Sequence, residues 1–131
     1  MANLAFPASP DAAVAAARAA IAEAAEAGAL LVCFPECFVP GYRALGAPVP
    51  PADADWLEEA HTQVAAAAGE AGIAVALGTE RFVDGALRIT VLVIGRIVIV
   101  GGVASGGIVG TTWVSYQALC ASSESQSSVT R

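Results

Sequence analysis

One carboxylate of the chain stands where a catalytic group could act. Glu36 follows an apolar run at residues 29–34, which Gly28 and Pro35 bound on either side. So short a run between two breakers predicts a strand buried on both faces rather than a helix. In folds that alternate helices and strands, binding crevices open at the carboxyl ends of the strands, so Glu36 is a candidate catalytic residue. The alternative is a solvated glutamate in a loop.

The residues on both sides of Glu36 form a longer pattern. The chain reads Phe-Pro-Glu-Cys-Phe at positions 34–38 and Pro-Gly-Tyr-Arg at positions 40–43. This stretch resembles the first catalytic motif of the nitrilase superfamily, the carbon-nitrogen hydrolases, and the resemblance covers roughly residues 1–94. It implies an α/β fold, a partial nitrilase-like α-β-β-α sandwich with about half of the family fold. The last third of the chain is expected to be irregular or unrelated to the family.

The resemblance also implies a reaction on nitriles or amides through a triad of glutamate, lysine and cysteine. In such chemistry a cysteine thiolate attacks the carbon, a carboxylate takes the thiol proton and later activates water, and a lysine ammonium stabilises the developing negative charge. Of the three triad residues, the resemblance identifies only the glutamate in this chain: Glu36, as the general base. Candidate neighbours in the same pocket are Cys37, Phe38, Tyr42 and Glu80, and for Glu80 the alternative is a solvated or salt-bridged carboxylate.

The other two members of the triad are not recognisable in the sequence. All six basic residues are arginines, so the chain contains no lysine. Cys37 and Cys120 both lie outside the setting of the family's nucleophile, which is an apolar strand leading into a turn. We therefore expect a truncated or frame-disrupted carbon-nitrogen hydrolase that is inactive alone. If the full domain exists, its partner is expected to be a small-molecule nitrile or amide.

The composition predicts association. Apolar residues make up 56% of the chain and charged residues 14%, against about 25% charged in ordinary globular proteins. So little polar surface predicts a homo-oligomer, or aggregation, through exposed apolar faces. A non-catalytic interaction protein is therefore an alternative function. The formal net charge of −6 argues against nucleic acid as a partner, because no cluster of basic residues could neutralise phosphates.

The cysteine spacings indicate whether the chain could bind a metal or cofactor, and the first residues indicate where in the cell it is expected. Cys33, Cys37 and Cys120 have unrelated spacings that match neither a zinc pattern nor a disulfide framework, so we expect no metal and no cofactor. The sequence does not open with a basic region followed by an apolar core. A cytoplasmic protein with reduced cysteines is the expectation.

The character of the chain changes after residue 94, and we assign residues 1–94 to the amino-terminal part of the hydrolase domain. Residues 95–121 form a glycine-rich apolar segment, and residues 122–131 a serine-rich tail that is expected to be disordered. A membrane anchor from Ile97 to Leu119 is an alternative, although glycine, serine and threonine dilute its hydrophobicity. Translation out of the original frame would also produce such a loss of pattern.

Local signals predict the helices that would position Glu36. Ser9 is a candidate N-cap for a helix over residues 10–27. Asp55 and Glu58 are typical of a capping box and would open a second helix that ends near Gly72.

Two strands are predicted after the second helix, at residues 73–82 and 86–94. They flank an Asp-Gly pair at 84–85, which is typical of a two-residue hairpin turn. His61, the single histidine, is expected at the surface of the second helix.

Overall fold

The computed structural model describes residues 7–43, 49–95 and 110–115. In these residues two helices and a four-stranded sheet alternate along the chain, so the predicted α/β class is confirmed. The helices are α1 (Pro10–Glu26) and α2 (Ala54–Ala71). The strands are β1 (Leu31–Cys33), β2 (Ala74–Val83), β3 (Ala86–Gly95) and β4 (Gly110–Ser115).

The strands lie in the sheet in chain order, β1-β2-β3-β4. β1 runs parallel to β2, and α2 lies on the crossover between them, whereas β3 is antiparallel to both β2 and β4. A layer of two helices on one sheet corresponds to half of an α-β-β-α sandwich, as the sequence predicts.

Helix α1 begins and ends where the sequence predicts. Ser9 has an extended backbone, and its hydroxyl accepts a hydrogen bond from the Ala12 amide at 3.2 Å, which satisfies one of the unpaired donors of the first turn. Gly28 follows the end of the helix, and its positive φ of 78° favours glycine.

Helix α2 begins earlier than predicted. Asp53, and not Asp55, is the N-cap: its carboxylate accepts a hydrogen bond from the Trp56 amide at 2.8 Å. The capping box of Asp55 and Glu58 is therefore wrong, because Asp55 already lies within the first turn. The predicted end is confirmed, since Gly72 closes the helix in the left-handed conformation.

The predicted hairpin is confirmed. β2 and β3 pair from Val75 opposite Ile94 down to Val83 opposite Ala86. Asp84 and Gly85 connect them with φ values of 51° and 75°, the two positive values that a type I′ turn requires.

One face of the sheet carries the hydrophobic core. Alternate residues of β2 and β3 point toward the helices, and their side chains are buried against the apolar sides of α1 and α2. On the sheet these residues are Val32, Val75, Leu77, Leu92 and Ile94. On the helices they include Val14, Ala17, Ile21, Ala60 and Val64.

No described helix covers the opposite face of the sheet, which we call the open face, although the loop after β1 lies over it at Gly78. Leu31 is 52% exposed and Ile89 44% exposed, and Phe82 and Leu87 are also exposed. The prediction that β1 is buried on both faces is therefore wrong: Val32 points into the core, whereas Leu31 points away from it. The helices supply apolar cover on one side only.

The last third of the chain contributes β4 to the sheet. Its backbone pairs with β3, with Trp113 opposite Leu92. Among the described residues no helix has the length and hydropathy that crossing a bilayer requires. β4 lies within the segment from Ile97 to Leu119 that the sequence offers as an alternative membrane anchor; the rest of that segment and the tail at 122–131 lie outside the described residues.

His61 is buried, contrary to the prediction. It lies on the same side of α2 as Leu57 and Val64, which pack toward the sheet, and it is only 4% exposed. Its Nε2 atom lies 2.9 Å from the Thr79 hydroxyl of β2. The pKa of His61 is lowered to about 4, chiefly by burial; nearby Glu58 opposes this shift and Arg81 contributes to it.

We expect His61 to make the stability of the fold depend on pH. The ordinary pKa of histidine is about 6.5, so between pH 6.5 and 4 the unfolded chain binds the proton and the folded chain does not. The free energy of unfolding should therefore fall as the pH falls through this window, by up to about 3 kcal/mol.

Urea unfolding at several pH values would measure this effect, with His61→Gln as the control because glutamine does not titrate. The difference between the two proteins should shrink or reverse as the pH is lowered. Parallel pH profiles of wild type and variant would contradict the assignment.

Candidate functional site

Glu36 lies in a loop that leaves the end of β1 and rejoins the same edge of β2 further along the strand, at Val39. We call residues 34–43 the Glu36 loop. The Phe34 amide donates to the Ala76 carbonyl at 2.8 Å, and the Val39 amide donates to the Gly78 carbonyl at 3.4 Å. Glu36 is exposed in the turn between these two bonds. The structure thus places Glu36 directly after a strand, as the sequence predicts.

Gly78 makes room for this loop. A Cβ atom at position 78 would lie 2.7 Å from the Cα of Glu36 and still closer to the carbonyl oxygen of Pro35. Both contacts are to backbone, which cannot move aside as a flexible side chain can. Gly78 is a site residue that the sequence analysis missed, although a glycine inside a predicted strand does indicate a close approach of another backbone.

Cys37 is adjacent to Glu36 but is not a prepared nucleophile. Its side chain is 3% exposed, and its backbone has a positive φ of 48°, which is uncommon for a residue other than glycine. Burial, together with the smaller effects of the negative charges of Glu80 and Glu36, raises the pKa of the Cys37 thiol to about 11 against the opposing effect of Arg43. A nucleophilic cysteine needs a lowered pKa, so Cys37 lacks the required chemistry.

Glu80 forms an ion pair with Arg43. The Arg43 guanidinium donates from Nε to one carboxylate oxygen of Glu80 at 2.7 Å and from Nη2 to the other at 2.9 Å. Glu80 is 3% exposed, and the hydrogen bond with it raises the pKa of Arg43. The alternative of a salt-bridged Glu80 is therefore what the structure shows. Arg43 is the second site residue that the sequence analysis missed, and the need of a buried carboxylate for a cation was the available signal.

The remaining predicted neighbours lie in different surroundings. Phe38 is in the hydrophobic core, where its ring packs against Phe34 with centroids 5.1 Å apart. Tyr42 is exposed. The structure thus brings Cys37, Glu80 and Arg43 together near Glu36, and it turns Phe38 inward.

A cleft of about 330 Å³ lies on the other side of Arg43. Pro40, Pro50 and Trp56 line it with Arg43, but Glu36 does not. A ligand in this cleft would contact the far end of the Glu36 loop and not the candidate base. Among the described residues no cluster of histidine, cysteine, aspartate or glutamate could hold a metal ion.

Comparison with known families identifies the domain. The model of the carbon-nitrogen hydrolase family, described as "Carbon-nitrogen hydrolase", matches residues 2–103 of the 131. The chain belongs to the carbon-nitrogen hydrolase family. The match runs past residue 94, so the family pattern extends further along the chain than the sequence analysis expects.

Solved structures agree with this assignment. A variant of the Nesterenkonia AN1 amidase, from the nitrilase superfamily, superposes with a TM-score of 0.59 at 26% identity, over 72% of this chain and 36% of the amidase. Another variant of that amidase, in complex with acrylamide, superposes with a TM-score of 0.56 at 24% sequence identity, over 70% of this chain and 35% of the amidase. A glutamine-dependent NAD(+) synthetase from Cytophaga hutchinsonii superposes with a TM-score of 0.51 at 26% sequence identity, over 69% of this chain and 15% of the synthetase.

These coverages show that the chain spans little more than a third of the length of the amidase it matches. A search of curated proteins gave no match.

We expect Gly78→Ala to displace the Glu36 loop and to destabilise the protein. The added methyl group would overlap two backbone atoms, and overpacking of this kind costs about 1–3 kcal/mol or more. Urea unfolding measures the loss.

Gly69→Ala is the matched control for this substitution. Gly69 lies within α2 and has no neighbour within 4 Å of the added carbon, so the same change there should stabilise the protein by roughly 1 kcal/mol through helix propensity. Equal effects at the two positions would contradict the close approach at Gly78.

Proposed function

We propose that this chain supplies the general base, Glu36, to an enzyme that hydrolyses non-peptide carbon–nitrogen bonds through a Glu–Lys–Cys triad. The observation that carries the proposal is the contrast between the two carboxylates near the Glu36 loop. Glu36 is exposed at the end of a strand, whereas Glu80 is buried and both of its oxygens accept from Arg43. Of the two, Glu36 is the one that an incoming thiol can reach and pass a proton to.

The proposed reaction begins when the Glu36 carboxylate accepts the proton of a cysteine thiol. The thiolate then adds to the carbon of an amide or nitrile and forms a covalent intermediate. A lysine ammonium stabilises the negative charge that develops. With an amide, the protonated Glu36 gives its proton to the nitrogen, which leaves as the carbon–nitrogen bond breaks; with a nitrile, the nitrogen takes the same proton and leaves as ammonia only after water has added to the carbon. In both cases the Glu36 carboxylate activates the water that releases the product.

We propose that the nucleophile and the lysine come from protein outside these 131 residues. The sequence contains no lysine. Cys37 is buried with a pKa raised to about 11, so it carries almost no thiolate at neutral pH. We therefore propose that the 131-residue chain is inactive by itself.

The proposed substrates are small amides or nitriles. The amidase from Nesterenkonia sp. AN1, which the chain resembles in fold, has a variant that binds acrylamide. Residues 50–53 border the cleft beside Arg43, so this side of the Glu36 loop is the proposed approach for a substrate.

A direct test joins this segment to a complete active site. Residues 7–95 would replace the corresponding segment of the Nesterenkonia amidase, and hydrolysis of acrylamide would be measured. We expect the chimera to be active, the 131-residue chain alone to be inactive, and Glu36→Gln in the chimera to lower kcat/KM by about 100-fold or more, because a general base contributes that much.

Glu70→Gln is the control in this experiment, since Glu70 is an exposed carboxylate of α2. It should leave the activity unchanged, and both variants should keep the circular dichroism spectrum of the parent chimera. If Glu36→Gln retains full activity, Glu36 is not the base. If the 131-residue chain hydrolyses amides, the proposal that its nucleophile lies elsewhere is wrong.

A second candidate function is association through the open face. Phe82, Leu87 and Ile89 expose neighbouring apolar side chains at one end of the open face, and Leu31 is exposed at the other end. Exposed apolar surface shared by neighbouring side chains is typical of an interface. The proposal is a non-catalytic interaction role in which a second copy of the chain covers this face.

Sedimentation of the 131-residue chain would test the second function. We expect a discrete oligomer that Ile89→Lys weakens, because a charge would have to be buried in the interface. Thr62→Lys, an exposed position of α2, should leave the oligomer intact. A chain that remains monomeric, or that forms only polydisperse aggregates, would contradict this function.

A further inference from the structure

Three successive open-face residues of β2 hold the Glu36 loop. The Ala76 carbonyl accepts from Phe34 at the start of the loop, and the Gly78 carbonyl accepts from Val39 in its middle. Two residues further along the strand, the Glu80 carboxylate accepts two hydrogen bonds from the guanidinium at the end of the loop. The loop is therefore attached at its start, middle and end to one strand.

The attachment at the end of the loop differs in kind from the other two. It joins two side chains, and its carboxylate is 3% exposed. A buried carboxylate is costly unless charged donors satisfy it, so Glu80 strongly favours the conformation that keeps Arg43 in place. Arg43 also donates from Nη1 to the Pro50 carbonyl, which ties the segment leading into α2 to the same point.

The middle of the loop contains a conformation that needs such support. Cys37 has a positive φ of 48°, a region that residues with a Cβ atom seldom occupy. Backbone of this kind persists where the surrounding structure holds it on both sides. Glu36 is next to it, so a loop released at Arg43 would be free to relax and move the Glu36 carboxylate.

We propose that Glu80 is a positioning residue for Glu36: through its two hydrogen bonds with Arg43 it fixes the far end of the Glu36 loop and so holds in place Glu36, whose backbone lies over Gly78 on the open face. The inference rests on the proposed function for the role of Glu36 as a base. The planar guanidinium of Arg43 is needed for this role, because a lysine ammonium cannot make the same pair of parallel hydrogen bonds.

A purely structural role for Glu80 predicts a different result from a positioning role. If Glu80 only stabilises the sheet, its loss lowers the stability of the whole domain, and all protected amides exchange faster together. If Glu80 positions the loop, its loss opens residues 34–43 while the helices and the β2–β3 pairs stay closed.

The experiment is residue-resolved hydrogen exchange on the full 131-residue chain, wild type against Glu80→Gln. We expect the amides of Phe38, Val39 and Gly41 to exchange about tenfold faster or more in the variant, since hydrogen bonds to a charged group contribute that much to a local opening equilibrium. The amides of α2 and of the β2–β3 pairs should keep their wild-type rates.

Two further variants complete the test. Arg43→Lys keeps the positive charge but not the fork, and it should accelerate the same three loop amides. It also serves if Glu80→Gln fails to fold, because Arg43 is partly exposed. Glu58→Gln is the matched control: it removes another ion pair of β2, between Glu58 and Arg81 at 3.7 Å, and it should leave the loop amides unchanged.

Two results would overturn the positioning role. One is faster exchange of all protected amides of the domain together. The other is unchanged exchange at Phe38, Val39 and Gly41 in both Glu80→Gln and Arg43→Lys. The exchange rates do not depend on catalysis. The exchange experiment can therefore reject the positioning role of Glu80 without rejecting Glu36 as the base. The activity of the Glu36→Gln chimera tests the base separately.

Discussion

The alternation of side chains along β2 separates the core of this domain from its candidate site. Successive residues of a strand point to opposite faces of the sheet. Val75, Leu77 and Thr79 face the helices and are fully buried, whereas Ala76, Gly78 and Glu80 lie where the Glu36 loop is held. A shift of one residue in the register of β2 would exchange the two sets and remove core and site together.

The two carboxylates of the site show how burial divides their roles. Glu80 is out of contact with water and is satisfied by Arg43, so its charge serves to hold structure. Glu36 is exposed, one residue from a buried thiol whose pKa is raised. In the proposed reaction the proton acceptor has to be accessible, as Glu36 is, whereas a buried and paired carboxylate such as Glu80 is suited to holding a loop in place.

The open face relates the fold to the length of the chain. In the described residues helices cover one side of the sheet, and apolar side chains such as Leu31 and Ile89 are exposed on the other. Apolar surface of this extent is costly in water, at roughly 25 cal/mol for each Å². The chain covers little more than a third of the amidase that it resembles.

The sequence by itself determined the elements and the family. Ser9, Gly28, Gly72 and the Asp-Gly pair at 84–85 act through neighbouring residues, so local stereochemistry was enough to place the turns and helix ends. The motif around Glu36 was enough to indicate a carbon-nitrogen hydrolase, because the order of residues along one loop carries that pattern.

Only the tertiary structure decided which polar groups are buried and what they contact. His61 reads as a surface residue of a helix, but the packing of α2 on the sheet places it beside Thr79. Glu80 and Arg43 are far apart in the chain, and nothing local to either residue specifies their pairing. The N-cap at Asp53 was also missed, because several nearby acidic residues could serve and the path of the preceding loop selects among them. Burial and pairing depend on contacts between distant segments, and such contacts exist only once the chain has folded.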